Sequence, residues 1–195
     1  MRKLLIAVGL MAIAGALWAG VVKGRGQSNA RILLEVYSDY QCPYCKTLYE
    51  NTLRPLTAEY VDTGKVYLIH HEFPLPRHAY AMQAACYACA ANRVGKYDQV
   101  GEALFREQQT WSTTGKVEET VASVLTPGEA KKVRALARDP AIAAEVQEDI
   151  RAGQTARVDG TPTMILTCRQ KQYRLPVTAS YPMLRRFIDQ LLANN

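Results

Sequence analysis

The sequence predicts an α/β fold of two β-rich halves separated by a helical insertion, on three observations. A β-prone run at 31–38 leads through a turn into a helical pattern and then a second β-prone run at 66–73. Positions 78 to about 156 then read almost wholly as helix. After the turn Gly160-Thr161-Pro162, two short strands and an amphipathic helix close the chain. The order is β-α-β, about 80 inserted residues, then β-β-α.

The first segment is an address. Met1-Arg2-Lys3 is basic, and 19 uncharged, mainly apolar residues run from Leu4 to Val22. This is an export signal. Ala14-Gly15-Ala16 offers a small-x-small cleavage site, yet the run also approaches the ~20 residues that span a bilayer as a helix. A cleaved signal peptide and a retained membrane anchor both remain open, and either one places the domain outside the cytoplasm, in the periplasm or cell envelope. Lys23 to Asn29 reads as a polar linker, so the expected division is 1–29 for targeting and linker, 30–195 for the domain, with the insertion at about 77–156.

The net charge of +6 belongs mostly to that address. Without Arg2, Lys3, Lys23 and Arg25 the 24 basic residues fall to 20, against 18 acidic ones. No run of Lys and Arg interleaved with aromatics remains, which excludes a nucleic-acid partner as the expected one.

Along the domain, 43–63 reads as a helix that Pro55 should kink or split. Within the insertion, helical patterns fall at 79–92, 96–109 and 117–125. Thr126-Pro127-Gly128-Glu129 forms a capping box with proline at the first helical position, and Asp139-Pro140 repeats the cap-then-proline signal. Ile142, Val146 and Ile150 then recur as a core-facing stripe. Strands are expected at 163–168 and 172–175, and a last helix at 182–193.

Chemistry concentrates at Cys42-Pro43-Tyr44-Cys45, a dithiol at the first turn of the helix that follows the first strand. A helix N-terminus offers unpaired N–H groups and partial positive charge, both of which stabilise a thiolate. Pro43 suits the first turn because its missing N–H is not needed there. Cys42 is expected to be the exposed, low-pKa attacking sulfur and Cys45 the resolving one. A lone CxxC is also compatible with a structural disulfide or half a zinc site.

Val158-Asp159-Gly160-Thr161-Pro162-Thr163, leading into Met164-Ile165-Leu166, resembles the cis-proline loop of thioredoxin-fold proteins. Together with Asp39-Tyr40-Gln41-Cys42-Pro43-Tyr44-Cys45, Phe73-Pro74-Leu75 and the Ala-rich helix containing Cys89, it resembles the DsbA-like thiol:disulfide oxidoreductases. The resemblance implies a thioredoxin fold with an inserted helical domain, a cis Thr161–Pro162 bond lying against Cys42, and a protein disulfide oxidoreductase. Cys42 and Cys45 would be its catalytic redox pair, needing no cofactor, with Pro43, Tyr44, Thr161 and Pro162 tuning them.

The resemblance implies reduced or unfolded secreted proteins as substrates and a quinone-linked membrane partner as reoxidant. Two departures weaken the oxidase direction: Tyr44 stands where DsbA has histidine, and Thr161 where it has valine, threonine there being closer to disulfide isomerases. An isomerase or reductase is therefore the alternative to a dithiol oxidase. A non-catalytic binding or chaperone protein is a third reading, against which the intact CxxC argues.

Glu35, seven residues before Cys42, is either a buried acid that shuttles the Cys45 proton or an exposed strand residue. Asp39 is expected in the turn. Cys86 and Cys89 share one helical face and are small core residues, partners of zinc with His70, His71 or His78, or one end of a bridge from Cys86 or Cys89 to Cys168. Export favours the bridge, and no metal is expected. His70 and His71, adjacent on a strand, must face opposite sides, one packed and one exposed.

Overall fold

The computed structural model describes residues 23–194, so the apolar segment expected as signal or anchor lies outside the described residues. Among the described residues, no helix is long and apolar enough to cross a membrane. The strands are β1 (Gly24–Arg25), β2 (Ile32–Ser38), β3 (Val66–Glu72), β4 (Thr163–Cys168) and β5 (Lys171–Leu175). They form one sheet in the order β1-β3-β2-β4-β5. Strand β2 is central because both of its faces can be covered: Ile32, Leu34 and Val36 are fully buried on one, and Tyr37 is buried on the other. It runs parallel to β3 and antiparallel to β4.

Helix α1 starts at Pro43 and continues to Val61 without stopping at Pro55. It is α-helical over Pro43–Leu48, widens into π turns over Tyr49–Leu53, returns over Arg54–Leu56 and ends in a second π stretch over Thr57–Val61. Proline has no N–H to give the preceding turn, and the wider turns on either side absorb that mismatch.

The insertion comprises α2 (Ala81–Asn92), α3 (Tyr97–Arg106), α4 (Gln108–Thr114), α5 (Val117–Ala122), α6 (Pro127–Ala137) and α7 (Pro140–Thr155). The expected helix at 96–109 breaks at Glu107 and resumes as α4. Helix α6 opens on the capping box: Glu129 N–H donates to the Thr126 hydroxyl, and Thr126 N–H to the Glu129 carboxylate. Helix α8 (Tyr181–Ala193) ends the described chain.

Two apolar bodies meet at the dithiol. One packs α1 and α8 on the sheet through Leu48, Leu56, Leu184 and Ile188. The other lies inside the insertion around Trp111, Leu104 and Phe105 and takes in Cys42 and Cys45. Each fully buried Leu or Ile contributes about 1.5–3 kcal/mol, so these bodies fix the sheet–helix geometry that positions the site.

Two expectations need correction here. Residues 23–29 are not a free linker: β1 pairs with β3, and Lys23 is 7% exposed, its ammonium 2.6 Å from Asp149 and 3.5 Å from Glu145. A buried ammonium needs such partners, which makes Lys23 part of the domain. Nor does a bridge join Cys86 or Cys89 to Cys168, since all three are free and buried. Cys168 packs with Leu166 and Met164 on the α1/α8 side, whereas Cys86 and Cys89 pack against Ile142 and Val146 of α7 across the sheet. They are small apolar fillers on opposite sides.

Candidate active site

The sheet register brings the two distant motifs together. Tyr37 pairs with Thr163 across β2 and antiparallel β4, so the chain entering β4 lies beside the chain leaving β2. Thr161 and Pro162 precede β4, Cys42 follows β2, and Cys42 Sγ sits 3.4 Å from the Thr161 carbonyl oxygen. The Thr161–Pro162 peptide is cis.

Cys42 is the N-cap of α1, with extended backbone (φ −80°, ψ 120°) and Pro43 at the first helical position. Its carbonyl accepts the N–H groups of Cys45 (3.1 Å) and Lys46 (3.2 Å). The Cys42 thiol is pulled down to about 5, chiefly by a hydrogen bond from the Cys45 thiol. Burial opposes this, while the backbone N–H groups of Cys45 and Tyr44 and the Thr161 side chain add to it. Cys45 moves the other way: burial raises its pKa well above the usual thiol range, and the neighbouring Cys42 sulfur raises it further. One sulfur is therefore a thiolate at neutral pH and the other a thiol, as sequential disulfide exchange requires.

Cys42 is not exposed as expected. It is 1% exposed, because the Thr161–Pro162 loop and the insertion close over it. The exposed member is Tyr44, at 73%. Beside it runs a cavity of about 340 Å³, lined on one wall by Tyr44 and Leu48 and on the other by Val177, Ala179, Tyr181 and Pro182. A larger polar cavity of about 590 Å³ opens at the β1 edge among Arg25, His70, Lys96 and Tyr97, away from the dithiol.

Glu35 does not lie under the dithiol. It points to the α7 side, where His71 Nε2 is 3.2 Å from its carboxylate and His71 Nδ1 is 3.0 Å from Asp149. His71 also stacks on Tyr37, with ring centroids 4.5 Å apart. Burial opposes charging of His71, but its hydrogen bonds to the Asp149 and Glu35 carboxylates prevail and raise its pKa to about 9. His70 faces the other side, where burial and the adjacent cations lower it to about 4. Both histidines are half-buried, so neither is the exposed one anticipated.

The sequence reading passed over Glu72 and Gln108, and it placed Asp39 in the turn without giving it a role. Glu72, at the end of β3, is 2% exposed, and burial lifts it to about 8 although Lys23 and the hydroxyl of Tyr97 (2.8 Å) pull it back. Its signal was an acid closing an apolar strand. Gln108 is buried and donates from Nε2 to the carbonyls of Tyr40 (2.6 Å) and Cys42 (3.0 Å). Asp39 is 1% exposed, and its carboxylate accepts from Gln41 N–H, Leu75 N–H and His78 Nδ1. Nothing in the local pattern distinguishes the last two from ordinary turn and helix residues.

A βαβ half, a helical insertion and a ββα half around this dithiol define a thioredoxin-fold protein of the DsbA-like architecture. The chain belongs to the thioredoxin family, whose model, described as Thioredoxin, matches residues 21–190. Among curated proteins it is similar to the probable disulfide bond formation protein D of Bacillus anthracis, 24% identical over 148 residues. That match covers 71% of this chain and 66% of the relative, so the chain spans slightly less than two thirds of that protein's length. The Bacillus cereus protein of the same name is likewise 24% identical over 148 residues, covering 71% of this chain and 67% of the relative.

Among solved structures, Wolbachia pipientis alpha-DsbA1 superposes with a TM-score of 0.72 at 19% identity, over 87% of this chain and 90% of that one. Oxidised BdbD from Bacillus subtilis gives 0.71 at 19% identity, over 88% and 92%. At these identities the structural likeness is one of fold.

Proposed function

We propose that this chain is an exported thiol–disulfide oxidoreductase acting as a dithiol oxidase on secreted proteins. The observation that carries it is the split between Cys42, held as a thiolate by its neighbours, and Cys45, held as a thiol by burial. A substrate thiolate attacks Cys42 Sγ of the oxidised pair, the Cys42–Cys45 bond breaks, and Cys45 leaves with the electron pair and takes a proton. A second substrate thiolate attacks the substrate sulfur of the mixed disulfide and expels Cys42 as thiolate. Two electrons pass to the pair, and the substrate gains a disulfide.

A stabilised Cys42 thiolate favours the reduced pair, which makes the oxidised pair the electron acceptor. The apolar cavity beside Tyr44 suits an unfolded polypeptide. The names of the curated relatives support disulfide formation, and the basic-then-apolar start supports export, with a quinone-linked membrane protein as reoxidant. Threonine at 161, where DsbA has valine, favours the second reading, an isomerase or reductase, because threonine before the cis-proline is closer to the disulfide isomerases.

The reduction potential of the Cys42–Cys45 pair decides between them. A value near −120 mV supports the oxidase, and one near ~−270 mV overturns it in favour of a reductase.

A further inference from the structure

Asp39 touches both cysteines through its backbone. Its N–H points at Cys45 Sγ at 3.5 Å, and its carbonyl accepts the Cys42 N–H at 3.0 Å. The side chain is equally committed: Oδ1 accepts from Gln41 N–H at 2.7 Å, and Oδ2 from Leu75 N–H at 2.9 Å and from His78 Nδ1 at 2.6 Å. Leu75 and His78 belong to the segment that leaves β3 for the helical insertion, and a further hydrogen bond, His78 N–H to the Leu75 carbonyl at 3.0 Å, ties them to each other. His78 is the only one of these groups that a side-chain change removes without altering the backbone.

We propose that His78 and Asp39 form a positioning pair that aims the Asp39 N–H at Cys45, so that this amide receives the leaving sulfur when the Cys42–Cys45 bond opens. The inference rests on the disulfide-exchange reading above. When substrate thiolate attacks Cys42, the electron pair of the broken S–S bond goes to Cys45 in a buried site. An N–H already directed at that sulfur stabilises the thiolate before it is protonated, as hydrogen bonds to charged groups do. Without His78 the carboxylate loses its shortest contact, and the turn carrying the amide is free to rotate away. Cys42 keeps its own donors, chiefly the Cys45 thiol, with the N–H groups of Cys45 and Tyr44 and the Thr161 side chain. The pair thus acts on Cys45 and not on Cys42.

The test is single-turnover opening of the oxidised full-length protein by dithiothreitol, trapped by alkylation and read by mass, with Cys42 ionisation followed separately by thiolate absorbance. His78→Ala slows opening about tenfold, His78→Asn, whose amide N–H replaces Nδ1, restores the rate, and the Cys42 titration midpoint stays unchanged in both. Equal rates in wild type and His78→Ala overturn the proposal. So does an Asn variant as slow as the Ala variant, or a moved Cys42 midpoint. Should His78→Ala not fold, Asp39→Asn carries the test: it keeps the shape but turns an acceptor toward a donor, and an unchanged rate there overturns the pair. Failure of the wild type itself to open would instead overturn the exchange reading on which the pair depends.

Discussion

Cys42 Sγ lies 3.4 Å from the Thr161 carbonyl oxygen, although 119 residues separate them in the chain. The contact follows from the sheet: the neighbouring strands β2 and β4 run antiparallel, one ending and the other beginning at the same end of the sheet. Thr161 brings a second group to the sulfur. Its hydroxyl is buried and has no hydrogen-bond partner beside the protonated thiol, yet the side chain helps to stabilise the thiolate. It is a donor held in reserve for the charged state.

Thr161→Val therefore has two separable effects. Removing the hydroxyl raises the Cys42 pKa from about 5, by about 1. It also removes an unsatisfied buried oxygen, which stabilises the reduced fold by about 1 kcal/mol at a pH where Cys42 is protonated. Thiolate absorbance against pH reads the first, and denaturant unfolding at pH 4 reads the second. A variant with an unmoved Cys42 midpoint would remove Thr161 from the tuning groups.

The lowered Cys42 pKa also makes the stability of the reduced protein depend on pH. Folded Cys42 ionises near 5 and unfolded Cys42 near 9. Between those values the unfolded chain holds a proton that the folded one has lost, so this contribution grows as pH rises through that window and vanishes below it. The oxidised protein has no such thiolate. The gap in melting temperature, reduced minus oxidised, is expected to widen from pH 4 to pH 8. A constant gap would contradict a stabilised thiolate.

The order of elements was legible because each has a local cause: alternating or continuous apolar strands, the proline at the start of α1, and the Thr126–Glu129 box. The dithiol and the Thr161–Pro162 turn were legible because residue type at fixed spacing carries their chemistry. Orientation was not. Glu35 stands at the right distance before Cys42, but alternation along β2 turns it toward His71 and α7, while the buried acids near it are Asp39 in the turn and Glu72 on the neighbouring strand. The free state of Cys86, Cys89 and Cys168 follows from which side of the sheet each faces, and only the assembled layers determine that.

His71 joins β3 to both β2 and α7, and its pKa is raised to about 9 by Asp149 and Glu35 despite burial. A raised pKa contributes stability that is complete below the unfolded value of 6.5 and lost as pH climbs through 9. His71→Ala leaves two carboxylates without their shared cation, at a cost of about 3 kcal/mol at pH 6. The same substitution costs clearly less at pH 10, where the wild type has already lost the charge. Denaturant midpoints at the two pH values check this, and equal losses would show that packing on Tyr37, not charge, is what His71 provides.

Gln108 is one direct grip of the helical insertion on the dithiol turn, beside the His78–Asp39 and Tyr80 N–H to Gln41 hydrogen bonds. Its Nε2 donates to the Tyr40 and Cys42 carbonyls, and the latter also receives the first N–H groups of α1. Gln108→Ala strands two carbonyls in a buried site and is expected to cost about 2 kcal/mol. Gln108→Glu is the sharper probe, because it keeps the size but replaces the donor with an acceptor facing two carbonyl oxygens, one of them that of Cys42 itself. If Gln108 acts by donation, Glu destabilises the reduced protein more than Ala does and raises the Cys42 midpoint, since a nearby negative charge disfavours a thiolate. Should Glu prove milder than Ala in urea unfolding, Gln108 serves by filling space, and its own hold on the turn is by packing alone.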